Sequence, residues 1–132
     1  MTMDRDNISV LVVDDEPVLR ELVSFILHDK GFQVMTAESG DVAFKMVLAG
    51  HYDVIVSDVR MPNGSGIDLL NKLNTLPQRP AVFLVSGYSE ISLDDARRLG
   101  AQDLLNKPVD YDSLCSAIYN SYLTQKKLAQ QV

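Results

Sequence analysis

Residues 54–62 read VIVSDVRMP. Val54, Ile55 and Val56 are β-branched and apolar, the composition of a strand buried on both faces. The run stops on a carboxylate, Asp58, and Pro62 and Gly64 then turn the chain. A core strand that delivers an acid to its very end is the feature to be explained. Four further apolar runs flank this one (53–57, DVIVS): 8–13 (ISVLVV), 32–36 (FQVMT), 81–85 (AVFLV) and 102–105 (QDLL). Each is short enough for a strand and too short for a buried helix.

Helical spacing fills the intervals. The first helix should begin near Pro17, which suits a first turn, and stop at Gly31. Leu19, Leu22, Val23 and Ile26 repeat there at three- and four-residue intervals. The second should run from about Ser39, a good N-cap, to Ala49, with Val42, Ala43, Met46 and Val47 on its apolar face. The third should start near Gly66 and bury Leu69, Leu70 and Leu73. The fourth spans about 90–99 and ends at Gly100. The fifth starts near Asp110, its expected cap, and carries Leu114, Cys115, Ile118 and Tyr122. Tyr111 shares that stripe, whereas Tyr119 falls off it and is expected to be exposed. Met35, Met46 and Met61 are read as packing residues, and His28 and His51 as surface residues.

The pattern is βα repeated five times. Apolar strands alternating with amphipathic helices predict a parallel sheet covered on both faces. Right-handed crossovers leave few topologies. The best fit is a flavodoxin-like, doubly wound (βα)5 α/β fold with strand order 2-1-3-4-5. Ligands in such a sheet sit beyond the carboxyl ends of the strands, where the winding reverses between strands 1 and 3.

Composition narrows the function classes. The chain has 132 residues, 46% of them hydrophobic, which suits one domain with a real core. No apolar run approaches the roughly 20 residues of a membrane span. The polar N-terminus lacks a secretory pattern, so a cytoplasmic location with no membrane contact is expected. The net charge is −6 and no basic stripe exists, which argues against direct nucleic-acid binding. The single cysteine, Cys115, has no disulfide or metal-ligand companion and reads as a buried helix residue.

The predicted strand ends carry the chemistry. Strand 1 ends in Asp14-Asp15-Glu16, strand 3 in Asp58, strand 4 in Ser86-Gly87 and strand 5 in Lys107-Pro108. Three carboxylates, a hydroxyl and an ammonium therefore converge on one crevice. Clustered carboxylates repel and need a cation or raised pKa values. Hard oxygen ligands favour Mg²⁺ or Mn²⁺. With Lys107 as a second positive charge and Ser86 as a donor, the set suits phosphoryl transfer to a carboxylate nucleophile. Any one of these acids alone would read as a helix cap, and Asp15 or Glu16 could cap the first helix. Capping does not explain all of them at once.

The stretches VLVVDDE, DVIVSDVRMPNGSG, FLVSGY and LGAQDLLNKP, in that order and spacing, resemble the receiver domain of two-component response regulators, the fold of the chemotaxis regulator. The resemblance covers about residues 8–125, between a flexible N-terminus (1–7) and a polar tail (126–132). It implies that Asp58 accepts a phosphoryl group from the phosphohistidine of a sensor histidine kinase or a histidine phosphotransfer protein. It implies that Asp15 and Asp58 bind Mg²⁺ (or Mn²⁺) directly, with the backbone carbonyl of Arg60. Asp14 would act through the metal's waters. Lys107 would pair with Asp58 at rest and with the phosphoryl oxygens afterwards, and Ser86 would bond the phosphoryl group and carry the switch. Lys107-Pro108 would be cis. The domain would catalyse its own phosphorylation and dephosphorylation. Its output surface would be helix 4, strand 5 and helix 5, contacting a downstream partner or effector domain, as a monomer or a phosphorylation-dependent dimer.

Two departures stand out. The position that is usually aromatic on strand 5 of the family is Leu104, so the switch either moves the loop after strand 4 without an aromatic flip or is more weakly coupled. Arg60 and Tyr88, two residues beyond Asp58 and Ser86, either shield the acyl phosphate from water or point into solvent. The polar tail is compatible with a stand-alone receiver or with part of a longer regulator or hybrid kinase. The alternative function is a receiver-like scaffold that acts without phosphorylation; loss of the Asp or Lys would have favoured it. A Mg²⁺-dependent phosphatase would need Asp-x-Asp on strand 1, where this chain has adjacent acids. A flavin phosphate would be repelled by the acidic first turn.

Overall fold

The computed structural model of the chain describes residues 7–87 and 91–130. Five strands alternate with five helices: β1 (Ser9–Val13), α1 (Pro17–Asp29), β2 (Gln33–Ala37), α2 (Gly40–Ala49), β3 (Val54–Asp58), α3 (Gly66–Leu73), β4 (Ala81–Ser86), α4 (Leu93–Arg98), β5 (Asp103–Asn106) and α5 (Tyr111–Gln130). All strand pairs are parallel, and the sheet order is β2-β1-β3-β4-β5. This is the flavodoxin-like order expected from the sequence. No helix among the described residues is long and apolar enough to cross a membrane.

Side-chain alternation along the strands divides the core into two layers. Leu11, Val13, Ile55, Val82 and Leu84 face α2, α3 and α4, meeting Ala43, Leu69, Leu70, Leu73 and Ala96. Val10, Val12, Val54, Val56, Phe83 and Val85 face α1 and α5, meeting Leu27, Leu114, Cys115 and Ile118. Burial on both faces explains why β3 and β4 read as unbroken apolar runs.

Local chemistry sets the helix ends. The Ser39 hydroxyl accepts the Val42 N–H at 3.2 Å, as the sequence predicts. Asp110 accepts the Asp112 and Ser113 N–H groups at 3.1 and 3.2 Å and so starts α5. Ser65 and Asp68 form a reciprocal capping box on α3. The fourth helix is shorter than the expected 90–99. Ser92 caps it by accepting the Asp95 N–H at 3.0 Å, which fixes its start. Neither Asp15 nor Glu16 caps α1 through its side chain. Instead Asp14 Oδ1 accepts the Glu16 N–H at 2.9 Å.

Several packing expectations change. Leu22 is 48% exposed, and Leu27, one helical face away, is fully buried in its place. Met35 is exposed on β2 while Met61 is buried, so only part of the methionine set fills the core. Tyr119 is half-buried and packs with Tyr111 and Tyr122 against the α1–α5 layer. The helix α5 continues through residues 126–130 of the polar tail.

One glycine fixes the loop beneath the strand ends. A Cβ at Gly66 would lie 2.3 Å from the Asp58 carbonyl oxygen and 3.0 Å from Leu84 Cδ2. The Gly66 N–H also donates to the Val59 carbonyl at 3.0 Å. The backbone of α3 is thus pressed directly against the end of β3. Gly66→Ala is expected to cost about 1–3 kcal/mol of stability through overpacking. Urea unfolding checks this; a cost within error of zero would mean the loop relaxes freely.

Candidate functional site

The parallel order brings the carboxyl ends of β1, β3, β4 and β5 to one rim. Asp58 is the last residue of β3, in register with Val85 of β4. Ser86 ends β4 opposite Asn106, and the Lys107 N–H donates to the Ser86 carbonyl at 2.9 Å. That backbone bond ties the hydroxyl and the ammonium to one corner of the rim. The Lys107–Pro108 peptide is cis, as the resemblance implies.

Asp14 follows β1 and is 6% exposed. Its N–H donates to the Ala37 carbonyl at 3.2 Å. Its own carbonyl accepts Arg20 Nη1 at 2.8 Å. Arg20 is a residue the sequence reading missed. Its signal was a lone cation one turn into α1, directly after three acids.

Asp14, Asp15 and Asp58 each present a carboxylate oxygen, and these oxygens all lie within 4.8 Å of one another. Lys107 Nζ stands 3.2 Å from Asp58 Oδ1, with the Asp58 side chain only 12% exposed. Asp15, Asp58, Arg60, Ser86 and Lys107 line one open cavity of about 460 Å³ with Glu16 and Gly87. Every residue predicted for the site is therefore in one place. Arg60 is exposed at the cavity wall, and Tyr88 lies outside the described residues.

Electrostatics follow from this crowding. Burial pushes the Asp58 carboxyl up to about 6, and repulsion from Asp14 adds to it. The opposing attraction of Lys107 is smaller. Burial pulls the Lys107 ammonium down, but the attraction of Asp58, Asp14 and Glu16 outweighs it, and the net shift is upward. Three carboxylates against one ammonium leave an excess of negative charge in a partly desolvated place. Oxygen donors of this kind, at this spacing, fit a small hard divalent cation. A cation there would relieve the repulsion that raises Asp58.

The sequence profile described as the response regulator receiver domain matches residues 10–119. The chain belongs to the response regulator receiver domain family. The transcriptional regulatory protein FixJ of Azorhizobium caulinodans is 33% identical over 114 residues, which cover 86% of this chain and 54% of FixJ. The transcriptional regulatory protein DltR of Streptococcus agalactiae is 32% identical over 110 residues, 83% of this chain and 49% of DltR. The chain thus spans about half the length of these curated relatives.

Solved structures agree with the fold. The receiver domain of the Francisella response regulator 1452 superposes with a TM-score of 0.84 at 28% identity, covering 90% of this chain and 99% of that one. The response regulator TrrA of Thermotoga maritima, solved in complex with Mg²⁺-BeF, gives 0.78 at 30% identity, covering 86% and 98%. As a receiver domain this protein is a component of two-component signalling, and receiver domains bind Mg²⁺ at an acidic cluster of the kind seen here.

Proposed function

We propose that Asp58 is the phosphoacceptor of this receiver domain. The observation that carries the reading is the environment of its carboxylate: nearly buried, 3.2 Å from Lys107 Nζ, and clustered with Asp14 and Asp15. An Asp58 oxygen attacks the phosphorus of a phosphohistidine on a sensor kinase or phosphotransfer protein. The P–N bond breaks, the imidazole leaves, and an acyl phosphate forms on Asp58.

Asp14, Asp15, Asp58 and the Arg60 carbonyl would hold Mg²⁺ or Mn²⁺, which supplies charge neutralisation for the transferring group. Lys107 moves its attraction from the carboxylate to the phosphoryl oxygens, and the Ser86 hydroxyl donates to one of them. Water attack on the acyl phosphate reverses the state. TrrA, crystallised with Mg²⁺-BeF, supports this assignment by likeness.

The signal leaves through α4, β5 and α5. Leu104 is half-buried, pairs in register with Leu84 and packs against the core layer under α2, α3 and α4. It already faces inward and has no ring to reorient. Phosphorylation is therefore expected to shift the backbone after Ser86 while leaving the Leu104 packing in place. Amide and methyl NMR of the beryllofluoride-loaded domain checks this. A large Leu104 methyl shift with a still Gly87 amide would contradict it.

Fluorine NMR with beryllofluoride tests the phosphoacceptor reading. Bound fluoride resonances are expected only with Mg²⁺ present, and Asp58→Asn should abolish them. Wild type that binds no beryllofluoride at saturating Mg²⁺ would overturn the reading and favour a scaffold that works unphosphorylated.

A further inference from the structure

We propose that a second, apolar cavity beside the phosphoacceptor is a binding site for a small organic cation, an aromatic or aliphatic ring bearing one amine. The cavity holds about 260 Å³ and lies between the sheet and the α1–α5 layer. Its floor is Val12, Val56 and Val85, three valines on neighbouring strands. Leu19 and Val23 of α1, four residues apart, form one wall, and Tyr111 and Leu114 of α5 form the other.

Protein interiors pack to crystal density, with few voids larger than a water molecule. This cavity is a cleft that opens to solvent beside Lys107 and Pro108, and its inner lining is valine and leucine. An engineered apolar cavity of about 150 Å³ stays dry and binds benzene. The space here admits a substituted ring. Apolar walls also bind water poorly, since a buried water needs two or more polar partners.

The charged lining residues decide the charge of the ligand. Strand alternation continues the Val12 column into Asp14 and the Val56 column into Asp58, so the apolar floor runs straight into two carboxylates. Lys107 is the lone cation lining the cavity, and it is already paired with Asp58. Asp14 is 6% exposed, lines the cavity, and gives one oxygen to the Glu16 N–H. Asp15 and Glu16 lie just beyond, on the adjoining polar cavity. An ammonium head is attracted by this excess, whereas a carboxylate head is repelled.

The site has a regulatory consequence. An amine head at Asp14 and Asp58 occupies the same negative charge that would hold the divalent ion. The two ligands must then oppose one another, each weakening the other by the same factor. This consequence rests on the proposed metal site; the cavity and its charge selectivity do not.

Three probes of one shape test the proposal: 2-phenylethylamine, phenylacetate and benzyl alcohol. Each is titrated into the full chain in EDTA and followed by valine and leucine methyl NMR. The amine should give saturable shifts confined to the valine and leucine methyls that line the cavity, those of Leu19, Val23 and Leu114 among them. Phenylacetate should bind at least about tenfold more weakly. Val23→Phe, which fills the cavity from α1, should remove binding, and Val109→Phe serves if Val23→Phe does not fold. Saturating Mg²⁺ should weaken the amine. Equal affinity for amine and acid, shifts outside the cavity, or no saturable binding by any probe would overturn the proposal. None of these readouts needs a phosphoryl group, so failure here is distinct from failure of the phosphoacceptor reading.

Discussion

Asp58→Asn should make the metal-free protein more stable at pH 7. Asp58 carries a pKa of about 6 in the fold, above its ordinary 3.8, because burial and Asp14 disfavour its charge. A carboxyl raised on folding binds more protons in the native state than in the unfolded one between those two values. Stability therefore falls as pH rises from about 4 to 6, and the full cost is present above 6. The amide removes that cost, which is on the order of 2–3 kcal/mol. At pH 4 the wild-type carboxyl is already mostly neutral when folded, so the gap between the two proteins should close. Urea unfolding in EDTA at the two pH values measures both. A variant less stable than wild type at pH 7 would mean the Lys107 pair outweighs burial. Mg²⁺ should stabilise wild type and leave Asp58→Asn much less affected, by mass action on the native state.

Lys107→Ala should slow phosphoryl uptake from a small donor by on the order of 10²-fold at saturating Mg²⁺. The ammonium stands 3.2 Å from Asp58 Oδ1, where charge builds on the transferring group. Removing one preorganised charged donor from such a position costs about 10²–10³ in rate. The effect should fall on the rate constant rather than on Mg²⁺ affinity, because Lys107 repels the cation if it influences it at all. Timed intact-protein mass spectrometry separates the two. An unchanged rate, or a variant that merely needs less Mg²⁺, would assign Lys107 to resting-state pairing alone.

Much of this architecture was legible in the chain because β1, β3 and β4 are apolar on both faces and each interval has helical spacing. Strand positions hold to within a residue: the run at 102–105 becomes Asp103–Asn106, and that at 32–36 becomes Gln33–Ala37. The site was legible because its residues occupy strand ends, and a parallel sheet sends every such end to the same rim. What stayed hidden depends on three-dimensional detail. Leu22 and Leu27 both fit a 3.6-residue period, and only the position of the helix over the sheet selects Leu27. Met35 sits on an edge strand whose outer neighbour is solvent, a consequence of topology rather than composition. Arg20 acts on a backbone carbonyl, and its position as a lone cation one turn into α1 does not by itself name that acceptor. The valine-lined cavity appears only when its walls, from three strands and two helices, are assembled.

Asp58 should accept a phosphoryl group in a divalent-dependent reaction. Intact-protein mass after incubation with a small phosphodonor tests it most directly, on wild type and Asp58→Asn, with Mg²⁺ or with EDTA. One added phosphoryl group is expected on wild type with Mg²⁺ and none in the other three samples. An adduct that survives EDTA or persists in Asp58→Asn, or a wild type that stays unmodified by every donor tried, would contradict it.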